Sequence, residues 1–232
     1  TTLAKHLNGL LKPTAGRVVV DGTDTATTPV ARLALTVGYL FQNPDHQIFA
    51  PTTREEVAFG LRNLGLAPEE VERRTEEALR TFGLEGYAET PPAVLGFGLR
   101  RVVTVAAVVA MRQRILVLDE PTTGLDWRSA NDLMGRVAAL HAAGHTILLV
   151  THDMRLVARY APETLVMHEG RVLARGATRQ VLSDAGAMEA AHIAPPQVTR
   201  LARALGPYGI PPDVLTVDEF CRAYDAARGA RR

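Results

Sequence analysis

Residues 115–126 read ILVLDEPTTGLD, and residues 147–153 read ILLVTHD. Each stretch opens with four apolar residues, a length and composition typical of a strand that is buried on both faces of a sheet. Asp119 and Glu120 follow the first predicted strand, and His152 follows the second. Ligands of open α/β sheets lie beyond the carboxyl ends of the strands, so these polar groups are candidates for one shared site.

The two adjacent acids suit a phosphate site that depends on magnesium. One carboxylate can orient the metal while the other activates a water molecule. An Asp-Glu pair after a strand also occurs without a catalytic role, and a single histidine is usually structural. Neither feature decides the function by itself.

The remaining sequence alternates predicted strands with predicted helices, which indicates an α/β layered fold. Apolar periodicity predicts further strands at 17–21 and 35–41, and a hairpin that joins 164–167 to 171–174. Helices are predicted at 1–11, 68–82, 100–111, 129–141 and 198–205. The region from about 43 to 111 contains no convincing strand, so we expect a helical insertion between two strands of the sheet.

The composition is ordinary for a globular protein. Of the 232 residues, 47% are apolar and 22% are charged, which fits one core of moderate size with an appendage. The net charge of +1 gives no electrostatic reason to expect nucleic acid as a partner. The single cysteine, Cys221, excludes an internal disulfide and fits a reducing compartment. The longest apolar stretch, 102–111, is too short for a membrane span, so we expect a cytoplasmic protein that can still dock on a membrane partner.

Taken together, LDEPTTGLD and LLVTHD resemble the Walker B, D-loop and H-loop segments of ATP-binding-cassette (ABC) ATPases. The opening TTLAKHLNGLLKPTAGRVVVDG is similar to the sequence that follows the Walker A lysine in that family. QNPDHQIFAPTTREEVAFG, residues 42–60, resembles the Q-loop region of energy-coupling factor (ECF) transporter ATPases, including the cobalt and nickel import ATPases. HIAPPQVTRLARAL and LTVDEF resemble the C-terminal extension of the same subgroup.

The resemblance implies an α/β fold of the P-loop NTPase type, with a mostly parallel sheet and a helical subdomain at about 43–111. The ABC ATPase domain would span residues 1–182, and a short C-terminal extension would span 183–232. The glycines and the lysine of the Walker A loop would precede residue 1, so the resemblance implies a chain that is truncated within Walker A.

The resemblance also implies roles for individual residues. Asp119 matches the Walker B aspartate that holds Mg²⁺, and Glu120 matches the base that polarises the attacking water. His152 matches the H-loop histidine that donates to the γ-phosphate of ATP. Gln42 matches the Q-loop glutamine, whose side-chain oxygen reaches the metal or the attacking water. A structural glutamine is the alternative at that position.

Thr1 matches the Walker A hydroxyl that binds both Mg²⁺ and the nucleotide, and Thr2 is the next expected nucleotide contact. An ordinary helix cap is the alternative for Thr1. Asp126 matches the D-loop aspartate, which communicates across a dimer of ATPase subunits. It also lies just before the predicted helix at 129–141, so a structural role at the start of that helix is its alternative. Gln47 is a further polar candidate near the nucleotide.

The chain departs from the family at the signature sequence, which usually reads LSGGQ. The aligned residues 95–99 read LGFGL, so only Gly98 of the two glycines remains, and it is the expected nucleotide contact here. Phe97 is bulky where the backbone must approach a phosphate, and Leu99 is apolar where a glutamine is typical. We therefore predict that this segment serves the ATP of a partner subunit poorly, as in a heterodimer with one weak site. The alternative is that both sites still work.

The resemblance implies a subunit that binds and hydrolyses ATP, with Mg²⁺, to energise an ECF-type importer of a vitamin or a transition metal ion. Its expected partners are a second ABC ATPase subunit, a membrane-embedded transport subunit and a substrate-binding subunit, and its expected location is the cytoplasmic face of the membrane. One alternative is an ABC ATPase that serves another importer or none. Another is a non-hydrolysing partner subunit of a heterodimeric pair.

Overall fold

A computed structural model describes residues 1–229 of the chain. The chain forms two compact units, one of residues Thr1–Val150 and one that begins at Thr151. In chain order, the first unit contains α1 (Thr2–Leu7), β1 (Val19–Val20), β2 (Thr23–Asp24), α2 (Val30–Leu33), β3 (Val37–Leu40), α3 (Thr53–Asn63), α4 (Pro68–Phe82), α5 (Phe97–Ala110), β4 (Ile115–Asp119), α6 (Trp127–Ala142) and β5 (Thr146–Val150). Short 3-10 turns lie at Pro44–His46, Glu85–Tyr87 and Pro92–Val94.

The centre of the first unit is a parallel sheet in the order β3-β4-β5. In this sheet Tyr39 pairs with Val117, and Val117 pairs with Leu148. Every residue of β3 is buried, as are four of the five in β4, which is why both strands read as continuous apolar runs. β1 and β2 form a separate antiparallel pair. The predicted α/β fold with a mostly parallel sheet is confirmed.

Helix α1 lies against one face of this sheet. Ala4 belongs to one buried cluster with Val20, Val37, Tyr39 and Val117, and Leu7 packs beside it. The prediction of a helix over residues 1–11 was wrong beyond residue 7. The helix ends at Leu7 because the chain reaches Gly9, whose φ of +75° is left-handed and interrupts the helical path. The leucines at positions 3, 10 and 11 are exposed.

The predicted helical insertion is confirmed, since the described residues between β3 and β4 form α3, α4 and α5 and no strand. The α4 helix begins at Pro68, a favoured first helical residue, and ends at Gly83 with φ of +67°. Arg54 on α3 forms ion pairs with Glu72 and Glu76 on α4. Helix α5 begins at Phe97, three residues earlier than predicted, so the altered signature residues 97–99 are its first turn.

The second unit contains α7 (Met154–Tyr160), β6 (Glu163–His168), β7 (Arg171–Ala177), α8 (Thr178–Ser183), α9 (Ala185–Ala190), α10 (Gln197–Ala204), a 3-10 turn at Gly206–Tyr208 and α11 (Val217–Gly229). The predicted hairpin is confirmed, with Glu169 and Gly170 both left-handed at its turn. The tail holds more helix than the single patch predicted at 198–205. The domain boundary after residue 182 stays a prediction, and residues 230–232 of the expected extension lie outside the described residues.

Across residues 1–229, none of the helices combines the length and the apolar character needed to cross a membrane.

Candidate active site

Asp119 is the last residue of β4 and is 1% exposed. Its Oδ2 atom accepts hydrogen bonds from Thr1 Oγ1 at 2.7 Å and from Tyr39 Oη at 3.1 Å. Its Oδ1 atom is buried and has no hydrogen-bond partner among residues 1–229. The carboxyl edge of the sheet therefore brings together Thr1 at the start of α1, Tyr39 of β3 and Asp119 of β4.

Thr1 immediately precedes helix α1, but its side chain makes no capping hydrogen bond to that helix. Its hydroxyl donates to Asp119 instead, while its carbonyl accepts from the amide of Lys5 at 3.0 Å. Donation leaves lone pairs on Thr1 Oγ1, which can still bind a cation. The structure thus brings two of the predicted site residues, Thr1 and Asp119, into direct contact.

The oxygen atoms around Asp119 fit a Mg²⁺ ion. Mg²⁺ is held in proteins by one or two carboxylates together with hydroxyl, water and phosphate oxygens. A buried carboxylate oxygen without a partner normally costs free energy, so Asp119 Oδ1 is a candidate position for a ligand. Thr1 and Asp119 are the residues that would hold this ion.

Tyr39 was missed by the sequence analysis because a tyrosine in a strand usually serves packing. Its ring packs at 5.0 Å from that of Phe41. Burial raises the pKa of the Tyr39 phenol well above its ordinary value, and the negative charge and hydrogen bond of Asp119 raise it further. The phenol therefore keeps its proton and donates to the carboxylate.

Glu120 follows Asp119 with a left-handed backbone, at φ of +50°. Its amide donates to the carbonyl of Val150 at 2.8 Å, and the residue is 9% exposed. A bulky residue held in this region costs about 1–3 kcal/mol, and such strain concentrates at active sites. The predicted catalytic base is thus buried, strained and anchored to β5.

The segment after β3 is held by two adjacent arginines of α5. Arg101, which is 0% exposed, donates from Nη1 to the carbonyl of Phe41 at 2.6 Å and from Nη2 to the carbonyl of Gln42. Arg100 forms an ion pair with Asp45 at 3.4 Å. The backbone of Gln42 is therefore fixed, whereas its side chain is exposed.

Burial lowers the pKa of the Arg101 guanidinium, while the charges of Asp119 and Glu120 oppose that change. Arg101 was not among the predicted site residues, although one signal was available. An arginine pair at the start of a helix that is otherwise apolar needs buried partners. Gln47, the further candidate, accepts a hydrogen bond at Oε1 from the amide of Phe41 at 3.3 Å, so its observed contact is structural.

The altered signature segment packs against the segment that follows Glu120. A Cβ added to Gly124 would lie 2.3 Å from Phe97 Cδ1, so the Phe97 ring rests directly on that glycine. A Cβ added to Gly98 would lie 3.2 Å from the carbonyl of Gly124 and 3.1 Å from Leu125 Cδ2. Gly98 is therefore tightly packed within this chain, and its role toward a nucleotide stays a prediction.

Asp126 is the N-cap of α6, and its Oδ1 accepts from the amide of Ser129 at 2.7 Å. The same hydrogen bond is the main reason why the pKa of Asp126 lies below its ordinary value. Asp126 thus has the structural role at the start of α6 that was the alternative to a role in dimer communication. Its role in communication across a dimer stays a prediction.

His152 lies near the start of the second unit and is exposed. It lines a cavity of about 320 Å³ together with Asp153, Arg155 and residues 194–197. Asp153 caps α7 and pairs with Arg155 at 2.6 Å. The convergence of His152 with Asp119 and Glu120 stays a prediction.

Thr2 is the first residue of α1, and its side chain is exposed. Its carbonyl accepts from Nδ1 of His6 at 2.9 Å, which is a contact within the helix. The expected contact of Thr2 with a nucleotide stays a prediction.

Comparison with known proteins identifies the family. A family model described as ABC transporter matches residues 1–123. An ABC transporter ATP-binding protein of Caldanaerobacter subterraneus is 44% identical over 206 residues, which cover 89% of this chain and 36% of that protein. The energy-coupling factor transporter ATP-binding protein EcfA of Methanocaldococcus jannaschii is 42% identical over 207 residues, which cover 88% of this chain and 74% of EcfA. This chain thus spans about a third of the first relative and about three quarters of the second.

A solved structure supports the same relationship. The structure of cbiO1 from Clostridium perfringens, described as part of the ABC transporter complex cbiONQ, superposes with a TM-score of 0.72 at 32% identity. The match covers 89% of this chain and 79% of cbiO1.

Proposed function

Because this chain belongs to the ABC transporter family of ATP-binding proteins, we propose that it binds ATP with Mg²⁺ and hydrolyses it to energise a transporter. The observation that carries the proposal is the contact between Thr1 Oγ1 and Asp119 Oδ2. It joins the predicted Walker A hydroxyl to the predicted Walker B carboxylate across 118 residues of sequence. An ordinary structural threonine at a helix start would instead cap the helix.

Each site residue has a distinct task in this proposal. Thr1 and Asp119 would hold the metal, which when bound would neutralise charge on the phosphates. Glu120 accepts the proton of the water that attacks the γ-phosphorus, and the bond from that phosphorus to the bridging oxygen breaks as ADP leaves. His152 donates a hydrogen bond to a γ-phosphate oxygen. The side-chain carbonyl oxygen of Gln42 orients the attacking water. Arg101 fixes the backbone of Gln42.

We also propose that the transporter is an importer of the energy-coupling factor type. Support comes from the EcfA relative, the cbiO1 structure and the Q-loop string at residues 42–60. The partners would be a second ATPase subunit, a membrane-embedded subunit and a substrate-binding subunit, with this chain peripheral on the cytoplasmic face. The imported solute would be a vitamin or a transition metal ion that other subunits recognise.

A second candidate function is a non-hydrolysing partner subunit of a heterodimeric ABC ATPase pair. The position of the Phe97 ring favours this alternative. The ring covers Gly124, whereas the usual signature has a glycine at position 97 that leaves the backbone open. Gly98, which would contact the nucleotide of the partner, is likewise packed against Gly124 and Leu125. In this alternative the complex would turn over ATP mainly at one of its two sites.

The test of ATP hydrolysis uses this chain with a loop of the form GxxxxGK joined ahead of Thr1, because that loop supplies the phosphate-binding amides and the lysine. ATP binding is followed by the fluorescence of Trp127, the only tryptophan. Glu120→Gln should keep ATP binding and lower turnover about 10²- to 10⁴-fold, since general-base catalysis is lost. Glu85→Gln, at an exposed acid of the helical insertion, is the control.

Equal turnover by Glu120→Gln and the control would contradict the proposed base. The transporter assignment has its own test, which is co-purification of the chain with the products of neighbouring genes. Recovery of a second ABC ATPase and an integral membrane subunit is expected, and a purified chain that recovers neither would contradict the importer assignment.

A further inference from the structure

The side chain of Tyr39 lies in the apolar layer between the parallel sheet and α1, and it is 8% exposed. Phenylalanine at this position would fill the same space and pack equally on Phe41. The hydroxyl adds a polar atom to a core position, and a buried tyrosine hydroxyl needs a hydrogen-bond partner. Asp119 Oδ2 is that partner, at 3.1 Å.

The strand register explains how this contact arises. Tyr39 on β3 is paired with Val117 on β4, and Asp119 lies two residues further along β4. Because side chains alternate along a strand, all three occupy the same face of the sheet. The phenol is long enough to reach past Val117 to the carboxylate at the strand end.

The hydrogen bonds on Asp119 are distributed unequally. Both hydroxyl donors, from Thr1 and Tyr39, bind Oδ2, whereas Oδ1 is buried without a partner among the described residues. Two donors on one oxygen fix the rotation of the carboxylate about its Cβ–Cγ bond. The other oxygen is thereby held in a set direction and left free for a ligand.

We propose that Tyr39 is a positioning residue of the metal site, whose hydroxyl holds Asp119 so that Oδ1 is presented to Mg²⁺. Tyr39 contacts neither metal nor nucleotide in this arrangement and acts through Asp119. The inference rests on the proposed function, because it needs Asp119 to be a metal ligand. Groups that orient a metal ligand commonly change metal affinity by 10- to 100-fold when they are removed.

The test measures the affinity of the 232-residue chain for Mn²⁺ alone, by water-proton relaxation at low ionic strength. Tyr39→Phe should weaken Mn²⁺ binding about tenfold. Tyr87→Phe is the matched control, because Tyr87 is exposed and lies on the helical insertion. Asp119→Asn should lose most of the binding, since it removes the charged ligand itself.

The outcomes separate this inference from the function on which it rests. Unchanged Mn²⁺ affinity in Tyr39→Phe, with loss in Asp119→Asn, would overturn the role of Tyr39 and leave the metal site intact. Binding that Asp119→Asn does not weaken, or no binding by the unchanged chain, would overturn the metal site and the inference with it. Circular dichroism checks that the fold is kept. A second variant, Tyr39→Leu, also lacks the hydroxyl and should lose affinity to the same degree.

Discussion

The aromatic ring of Phe97 rests on the α-carbon of Gly124, with so little space that a Cβ at position 124 would lie 2.3 Å from Phe97 Cδ1. Phe97 opens α5, and Gly124 lies in the turn between β4 and α6 with φ of +81°. The contact packs the altered signature segment against the turn that follows Asp119 and Glu120. Phe97 is still 37% exposed, so one side of the ring faces away from the protein.

This contact predicts that Gly124→Ala destabilises the first unit by about 1–3 kcal/mol, because the new methyl group overlaps the Phe97 ring and the left-handed backbone disfavours alanine. Urea denaturation measures the change. In a Phe97→Ala background the overlap is absent, so the cost should fall to about 1 kcal/mol from the backbone alone. Gly135→Ala in α6, where a Cβ meets open space, is the control and should not destabilise. Equal costs with and without the ring would contradict the observed packing.

A second prediction concerns the signature segment in the assembled transporter. Changing Gly96→Ser, Phe97→Gly and Leu99→Gln together rebuilds the usual signature, and steady-state ATPase activity of the complex should then rise several-fold. A preorganised donor at a transition state contributes about 10²–10³ in rate. The signature acts on ATP held by the partner subunit, so the rise should persist when this chain also carries Glu120→Gln. If the triple change does not raise the ATPase activity of the complex, the signature at residues 95–99 already works, and the prediction is contradicted.

The fold could be predicted where local sequence decides the structure. The apolar run before Asp119 made β4 recognisable, and the Pro68 start and acidic first turn of α4 defined that helix to the residue. The start of α1 was also predicted, but its end was not. The leucines after Gly9 suggested a longer apolar face, and the left-handed glycine that stops the helix gave a weaker signal than their spacing.

The candidate site could be predicted only in part, because its contacts join distant positions. Asp119 was recognised from its place after a strand, but its two hydroxyl partners lie 118 and 80 residues away. The partners of Arg101 are main-chain carbonyls about 60 residues earlier, and carbonyls leave no mark in the sequence. In the sequence, a buried arginine can therefore be recognised only as a charged residue on an otherwise apolar helix.

A third prediction follows from that arginine. Arg101→Lys keeps the charge but loses the planar fork that donates to the carbonyls of Phe41 and Gln42. We expect a loss of about 1.5–3 kcal/mol in the free energy of unfolding, since hydrogen bonds to charged groups contribute that much. Amide hydrogen exchange over residues 41–47 should also become faster, while exchange in the strands of the sheet should not change. Arg80→Lys, at an exposed arginine of α4, is the matched control and should stay within about 0.5 kcal/mol. Unchanged exchange in Arg101→Lys would show that the arginine does not hold this segment.

The last prediction concerns the pH dependence of the α6 cap. The pKa of Asp126 is lowered in the folded chain because the Ser129 amide donates to its carboxylate. A lowered folded-state pKa means that the unfolded chain binds the proton more readily, so acid favours unfolding. The stabilisation is complete above the ordinary aspartate pKa of about 3.9 and disappears as the pH falls through the folded-state value.

Asp126→Asn separates this charge from the cap itself, because asparagine also caps helices but does not titrate. We expect the unchanged chain to unfold at a higher urea concentration than the variant at pH 7, and the difference to shrink steadily below about pH 4. Urea denaturation at a series of pH values measures it, with the helical circular dichroism signal as the probe. A constant difference at every pH would mean that Asp126 acts on α6 through its shape alone. If the charge of Asp126 stabilises the start of α6 in the isolated chain, that role alone explains an aspartate at this position. Communication across a dimer must then be shown separately, by an effect of Asp126→Asn on ATPase activity that exceeds its effect on stability.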